Sequence, residues 1–203
     1  RANKKFKKSK KTSSVTISFS KLMKKEKANT INIKQEIIKL STISWQEHIK
    51  NLKPLNETIF DRLKEVSSDL IFADSTGLEL SGEKFLTASI LFKNLLKKEL
   101  DTQNVGLLLP STAAGAFINY SILLMGKTAV NLNYTSEMES IKQSIYSAQI
   151  KSVITSRKFV EKLELKGINI KEVFDLIEII YLEDLKEKIS KRKSLITFLS
   201  VKF

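Results

Sequence analysis

Between Phe85 and Leu182 the sequence alternates two textures, and that alternation narrows the possible folds more than any other feature. Short apolar runs, Val105–Leu109, Thr128–Leu132, Lys151–Thr155 and Glu178–Leu182, are separated by segments with apolar residues at helical spacing. Continuous apolar runs of four or five residues between helices read as strands buried on both faces, which is the signature of a parallel sheet. The order βαβαβαβ predicts an α/β fold, a mainly parallel sheet with helices on its faces. The four runs are expected as its central strands.

The intervening elements have recognisable ends. Ser81 is placed to cap a helix carrying Phe85, Ala88, Leu91, Phe92, Leu95 and Leu96. Ser111 or Thr112 caps a helix to about Met125, closed by Gly126. Ser136 with Glu139 reads as a capping box for a helix to Ala148, and Arg157–Leu163 as a short helix. A Lys-rich helical segment is expected from Glu183. Upstream, Leu70–Ala73 and Leu78–Leu80 read as strands around the turn Asp74-Ser-Thr-Gly77. Thr58 opens a helix through Val66. From Asn32 to Leu52 the positions Ile33, Ile37, Ile38, Leu40, Ile43 and Trp45 suggest another helix, closed by Pro54. Val15–Phe19 alternates apolar and polar residues and reads as a short half-buried strand.

Charge separates the ends of the chain. Net charge is +13, yet residues 1–27 hold 11 Lys or Arg and one acid, Glu26, a net +10. The other 176 residues carry 24 basic and 21 acidic groups, a net +3. Residues 1–12 offer Phe6 as their one large apolar side chain beside seven cations, too little burial to offset ordering entropy, so mobility is expected there. A basic end of this kind suits an anionic membrane surface better than nucleic acid, which is disfavoured by the scarcity of aromatic stacking partners. Arg1 in place of Met is expected of a processed product or a piece of something longer. No apolar run reaches the 18–20 or so residues needed to cross a bilayer. The nearest, Ala113–Met125, reads as a buried helix.

Several chemistries are excluded by composition. There is no cysteine and one histidine, His48, so thiolate chemistry and a multi-histidine metal site are ruled out. His48 is followed at the fifth position by Lys53, where an acyltransferase His-x4-Asp pair needs a carboxylate. It reads as an ordinary helix histidine, on the side opposite Ile38 and Trp45. Val105-Gly-Leu-Leu-Leu-Pro-Ser-Thr-Ala-Ala-Gly115 looks at first like a phosphate loop. It lacks both the G-x-G-x-x-G and the G-K-[ST] spacing, and no Lys or Arg lies between Asp101 and Gly126. A bare strand-to-helix turn is the better reading.

Three strings carry a more specific resemblance: Asn104-Val-Gly-Leu-Leu-Leu-Pro-Ser-Thr112, Leu124-Met-Gly-Lys-Thr-Ala-Val-Asn-Leu-Asn-Tyr-Thr135 and Val153-Ile-Thr-Ser-Arg-Lys-Phe-Val-Glu-Lys162, continued by Tyr181-Leu-Glu-Asp184. They resemble the first half of an AMP-binding, adenylate-forming acyl synthetase. The branch is that of the bacterial bifunctional enzymes joining a 2-acylglycerophosphoethanolamine acyltransferase to an acyl-[acyl carrier protein] synthetase. Val15–Ser20 and the helix ending in Leu52-Lys-Pro-Leu55 are similar to the closing strand and helix of the acyltransferase half.

The resemblance implies a basic end at 1–14, an acyltransferase-like tail at 15–55, the N-terminal part of a synthetase domain at 56–190 and a divergent tail at 191–203. It implies a ligase of fatty acid and phospholipid metabolism, using ATP and Mg, with acyl carrier protein and lysophospholipid as partners of the intact enzyme. The implied location is cytoplasmic, peripheral on the inner face of the membrane. The family's Ser/Thr/Gly-rich loop ending in Pro-Lys-Gly has no counterpart here, and all six glycines are isolated. No catalytic, cofactor-binding or metal-binding residue is therefore assigned. The expectation is a fragment or remnant, inactive alone. The alternative is a non-catalytic α/β module binding anionic membrane or a partner protein through its basic N-terminus. If the sheet ends early, Val105–Leu109 or Ile179–Leu182 should form an uncovered edge, with Phe117, Ile118, Leu123 and Leu124 partly exposed.

Overall fold

The computed structural model describes residues 16–50 and 52–202. These fall into two compact units that divide between Pro54 and Leu55. The expected mobility of residues 1–12 and the first residue of the expected strand, Val15, lie outside the described residues.

In the first unit, residues 16–19 carry no strand. No strand pairs with them among the described residues, and Ile17 and Phe19 are exposed. Alternation alone does not make a strand when its backbone groups find no ladder partner. A 3-10 turn at Lys25–Lys27 leads into α1, Thr30–Ile49. Asn29 caps α1 by accepting from the Asn32 N–H at 2.9 Å. His48 is half-buried beside Trp45, with ring centroids 5.8 Å apart. The opposition between His48 and Trp45 expected from sequence is therefore corrected: three residues of helix turn about 300°, which leaves the two rings neighbours.

The second unit opens with α2 (Leu55–Glu65) and the antiparallel hairpin β1 (Leu70–Ala73) and β2 (Glu79–Ser81). The turn between the strands uses Gly77 at φ +80°, and the Asp74 carboxylate accepts from the Thr76 N–H at 2.8 Å. Ser81 then caps α3 (Gly82–Leu96), its hydroxyl accepting from the Lys84 N–H.

The remainder is β3 (Asn104–Leu107), α4 (Ala113–Leu123), β4 (Thr128–Asn131), α5 (Met138–Ser147), β5 (Ser152–Thr155), α6 (Arg157–Glu164), α7 (Ile170–Val173), β6 (Glu178–Tyr181), α8 (Leu182–Glu187) and α9 (Lys191–Lys202). Strands β3 to β6 form one parallel sheet in the order β4-β3-β5-β6. The α/β fold with its parallel sheet is thus as the sequence implied. The centre of that sheet is β3 and β5, however, and β4 and β6 are its edges.

The period-2 geometry of a strand explains the two cores. Val105 and Leu107 enter one cluster with Leu86, Leu96, Ile118, Ile122 and Leu185. Leu108 enters the other with Ile145, Val153, Phe159, Leu163 and Phe174. Adjacent residues Val153 and Ile154 divide in the same way. Gly106 is the exception that proximity requires: a Cβ there would stand 2.7 Å from Cγ2 of Val153. Val105–Leu109 is accordingly no exposed edge, and Phe117 and Ile118 are buried, because α3 and α4 pack on each other over the sheet. The contact is close because small polar residues mediate it, Ser121 Oγ donating to the Ser89 carbonyl at 2.8 Å.

One further correction concerns a helix end. The Ser136 capping box does not form. Asn133 accepts from both the N–H and the hydroxyl of Thr135, and the Ser136 N–H donates to the Asn133 carbonyl, so Ser136 is consumed in a turn and α5 starts at Met138. At the end of the described residues, α9 packs against α3 and buries Val201. Lys64 Nζ donates to the Val201 carbonyl at 2.6 Å.

Candidate functional site: the carboxyl edge of the parallel sheet

The chain leaves β3 in one direction to β4 and then crosses back past β3 to β5. Such a reversal places a crevice outside the carboxyl ends of the strands, where open α/β sheets bind ligands. A cleft of about 920 Å³ lies at the ends of β3 and β4 against the start of α4 and the β1–β2 turn. Its floor is apolar, with Leu63, Phe72, Phe85 and Leu107. Its polar groups are Asp74, Ser111, Thr112, Asn119, Asn131 and Asn133. No Lys, Arg or His lines it.

The start of α4 faces this cleft, and its free N–H groups would ordinarily attract an anion. Two of them are engaged by side chains. Thr112 Oγ1 accepts from the Gly115 N–H, and Asp74 Oδ2 accepts from the Ala113 N–H at 2.9 Å. Asp74 lies 39 residues away in sequence and reaches the helix because the hairpin turn projects its carboxylate there. The Thr76 hydroxyl first, and then the Ala113 N–H, hold the Asp74 carboxyl below the usual carboxylate range. The turn after β3 that looked like a phosphate loop is thus closed by the protein's own carboxylate.

The same arrangement recurs after β5. At the start of α6 the Arg157 N–H donates to both carboxylate oxygens of Glu183, at 3.1 and 3.2 Å, and Ser156 Oγ accepts from the Phe159 N–H. The Arg157 guanidinium makes a two-pronged ion pair with Asp184, at 2.6 and 2.9 Å, and lies 4.3 Å from the Tyr181 ring centroid. That hydrogen-bonded pairing lowers the Asp184 carboxyl and raises Arg157. At the switch itself, the buried Thr155 hydroxyl donates to the Leu108 carbonyl at 2.8 Å and ties β5 to the turn after β3.

Other candidate groups lack the partners that acid–base or metal chemistry would need. The Tyr120 hydroxyl donates to the Asn56 carbonyl at 2.9 Å, and burial, with the Asp61 charge, pushes it up to about 12, so it stays protonated near neutrality. His48 lies in the first unit, in a shallow groove with Ile37, Ser44 and Thr16. Among the described residues no group of three or more His, Cys, Asp or Glu could hold a metal ion.

Reasoning from sequence treated Asp74 as a turn residue and Glu183 and Asp184 as part of a string. The string Thr155-Ser-Arg-Lys-Phe159 and the string Tyr181-Leu-Glu-Asp184 meet in space through Arg157. No spacing rule links residues 26 or 27 positions apart, so only their joint presence in the resemblance gave a signal.

No protein-family model matches the chain. Solved structures do resemble it. O-succinylbenzoate coenzyme A synthetase from Bacillus subtilis, in complex with AMP, superposes with a TM-score of 0.55 at 13% identity, covering 68% of this chain and 34% of that one. The anthranilate CoA ligase AuaEII, in complex with anthranoyl-AMP, gives 0.55 at 18% identity, covering 68% and 28%. The N-terminal domain of FACL13 from Mycobacterium tuberculosis gives 0.55 at 14%, covering 67% and 36%. The fold is that of the N-terminal part of adenylate-forming ligases. The chain spans about a third of the length of the solved structures it matches.

Proposed function

We propose that this chain is a fragment or remnant of an acyl-activating, adenylate-forming synthetase and does not form acyl-adenylate by itself. The finer assignment is to the bifunctional acyl-[acyl carrier protein] synthetase and 2-acylglycerophosphoethanolamine acyltransferase of phospholipid re-acylation. It rests on the strings at 104–112, 124–135, 153–162 and 181–184, with residues 15–55 as the end of the acyltransferase half. The intact enzyme would use ATP and Mg to activate a fatty acid and would meet acyl carrier protein and lysophospholipid.

The observation that carries the inactivity is the state of the carboxyl edge. A nucleotide phosphate does not fit the groups present. The N-termini of α4 and α6 each hold a protein carboxylate, and the adjoining cleft is lined by no cation. Two negative charges brought together there would repel, and nothing would stabilise charge on a transferring phosphoryl group. This part of the chain acts as scaffold: it positions the edge of a sheet and leaves the chemistry to other segments.

Fatty-acid-dependent exchange of pyrophosphate into ATP by the full chain tests the proposal. No exchange above a protein-free blank is expected, with a series of saturated fatty acids and Mg present. Exchange by this chain alone would overturn the inactivity. The fragment assignment is tested separately on the DNA that follows the coding region. A frame encoding a Ser/Thr/Gly-rich loop ending in Pro-Lys-Gly is expected, and an unrelated intact gene immediately downstream would count against it.

A further inference from the structure

Helix α1 has two dissimilar sides. Its half-buried residues recur every fourth position: Asn32, Glu36, Leu40, Ser44 and His48. That side faces the preceding segment, where Ser44 Oγ donates to Ser18 Oγ at 2.6 Å and Ile17 joins Ile37, Leu40, Trp45 and His48 in one groove. At about 100° per residue, Ile31, Ile38, Trp45 and Ile49 fall within roughly 40° of one another along a second line, with Trp45 on its groove side, also lining that groove beside His48. Their exposures are 69%, 57%, 61% and 41%. The stripe runs from residue 31 to residue 49, about 27 Å at the usual rise. Four large apolar side chains in one line, standing in water, need an occupant.

Charge decides which occupant. The two acids of the helix, Glu36 and Glu47, lie about 140–160° from Ile31 on the wheel, away from the stripe, and each is paired with a lysine, Lys39 and Lys50. Lys34 borders the stripe and has no acidic partner among the described residues. Lys21, Lys24, Lys25 and Lys27 precede the helix, and the chain's net +10 lies within residues 1–27. An apolar stripe bordered by Lys34 and preceded in the chain by further lysines, with the acids turned away, complements an anionic lipid surface. The helix cannot cross a bilayer: no helix of the described residues is long and apolar enough.

We infer that α1 docks in the plane of an anionic bilayer, with Ile31, Ile38, Trp45 and Ile49 seated at the boundary between headgroups and acyl chains. This surface lies in the first unit and stands apart from the synthetase reading. Pyrophosphate exchange, or its absence, leaves the inference untouched.

Trp45 is the chain's single tryptophan, so its fluorescence reports the stripe directly. The full chain is titrated with vesicles of phosphatidylcholine alone and with 30% phosphatidylglycerol, at low and high salt. The expected result is a blue shift of Trp45 emission, quenched by lipids brominated near the headgroup, on the anionic vesicles only. High salt should weaken it, because the cations act within a Debye length of about 10 Å at 0.1 M. The double substitution Ile31→Ser with Ile38→Ser should lower partitioning about tenfold or more, from the loss of buried apolar area. Circular dichroism on the same variant confirms that the fold persists. Vesicle binding with unshifted Trp45 emission would overturn the inference and assign binding to the basic segment alone. A blue shift that depends on protein concentration without lipid would overturn it in favour of a second copy covering the stripe. Equal binding to neutral vesicles would overturn the requirement for charge.

Discussion

Helices α1 and α3 look alike in sequence and differ in burial. Both carry Ile, Leu or aromatic residues at helical spacing. In α3 seven of 15 residues are buried, including Phe85, Leu86, Phe92 and Leu96. In α1 none of 20 is. The periodicity of a helix states which side chains share a face, and the neighbours decide whether that face is covered. α3 lies between α4 and α9, with Ser89 and Ser121 allowing close approach to α4. The described residues around α1 supply one short segment, 16–18, on one side. The apolar side chains of α3 therefore contribute stability, and most of those of α1 remain exposed.

Core truncation in α3 is the most forceful way to break this comparison. Leu86 is fully buried, so Leu86→Ala removes apolar contacts and leaves a cavity, with an expected loss of about 2–5 kcal/mol. Urea unfolding followed by far-ultraviolet circular dichroism measures it. A loss under about 1 kcal/mol would mean that the α3–α4 interface is loose.

A smaller effect, visible only in acid, concerns the carboxylates at the two helix starts. Asp74 and Asp184 are both lowered on folding. Their stabilising contribution is complete above the ordinary Asp value of about 3.9 and is lost as the pH falls below it through their lower folded values. Tm measured from pH 7 to pH 2.5 should therefore fall at the acid end. Asp74→Asn should flatten part of that fall, because its side chain no longer titrates. An unchanged acid limb would show that Asp74 does not engage α4 in solution.

The smallest effect is expected on the exposed stripe. Ile38→Ser should change stability by no more than about 0.5 kcal/mol, since surface substitutions away from packing and caps rarely do more. The same urea titration suffices. A loss comparable to that of Leu86→Ala would show that α1 is covered in solution, and would sharpen the search for what covers it.

Much of the architecture was legible one segment at a time. Val105–Leu109 and Ser152–Thr155 announced themselves as strands by apolar continuity, and Ser81 and Thr112 as caps by their position before an apolar helix. Where local reading failed, a distant or neighbouring group had already taken the atoms in question. Ser136 looked like a cap, but the Asn133 turn took its backbone first. Residues 16–19 alternated correctly and found no ladder. The candidate site was the least legible part, because its carboxylates come from the hairpin turn and from α8 to helices far along the chain.

The sequence by itself determined the class of fold, the chemistry withheld by zero cysteines and one histidine, and the concentration of charge in residues 1–27. These follow from side-chain type and spacing, which act within a few residues. Only the tertiary structure decided that β3 and β5 are the central strands, that Asp74 and Glu183 occupy the helix starts at the carboxyl edge, and that the far side of α1 stays exposed. Strand order, long-range capping and coverage each depend on which distant segment arrives at a given place, and that is fixed by the packing of the whole sheet and its helices rather than by any local pattern.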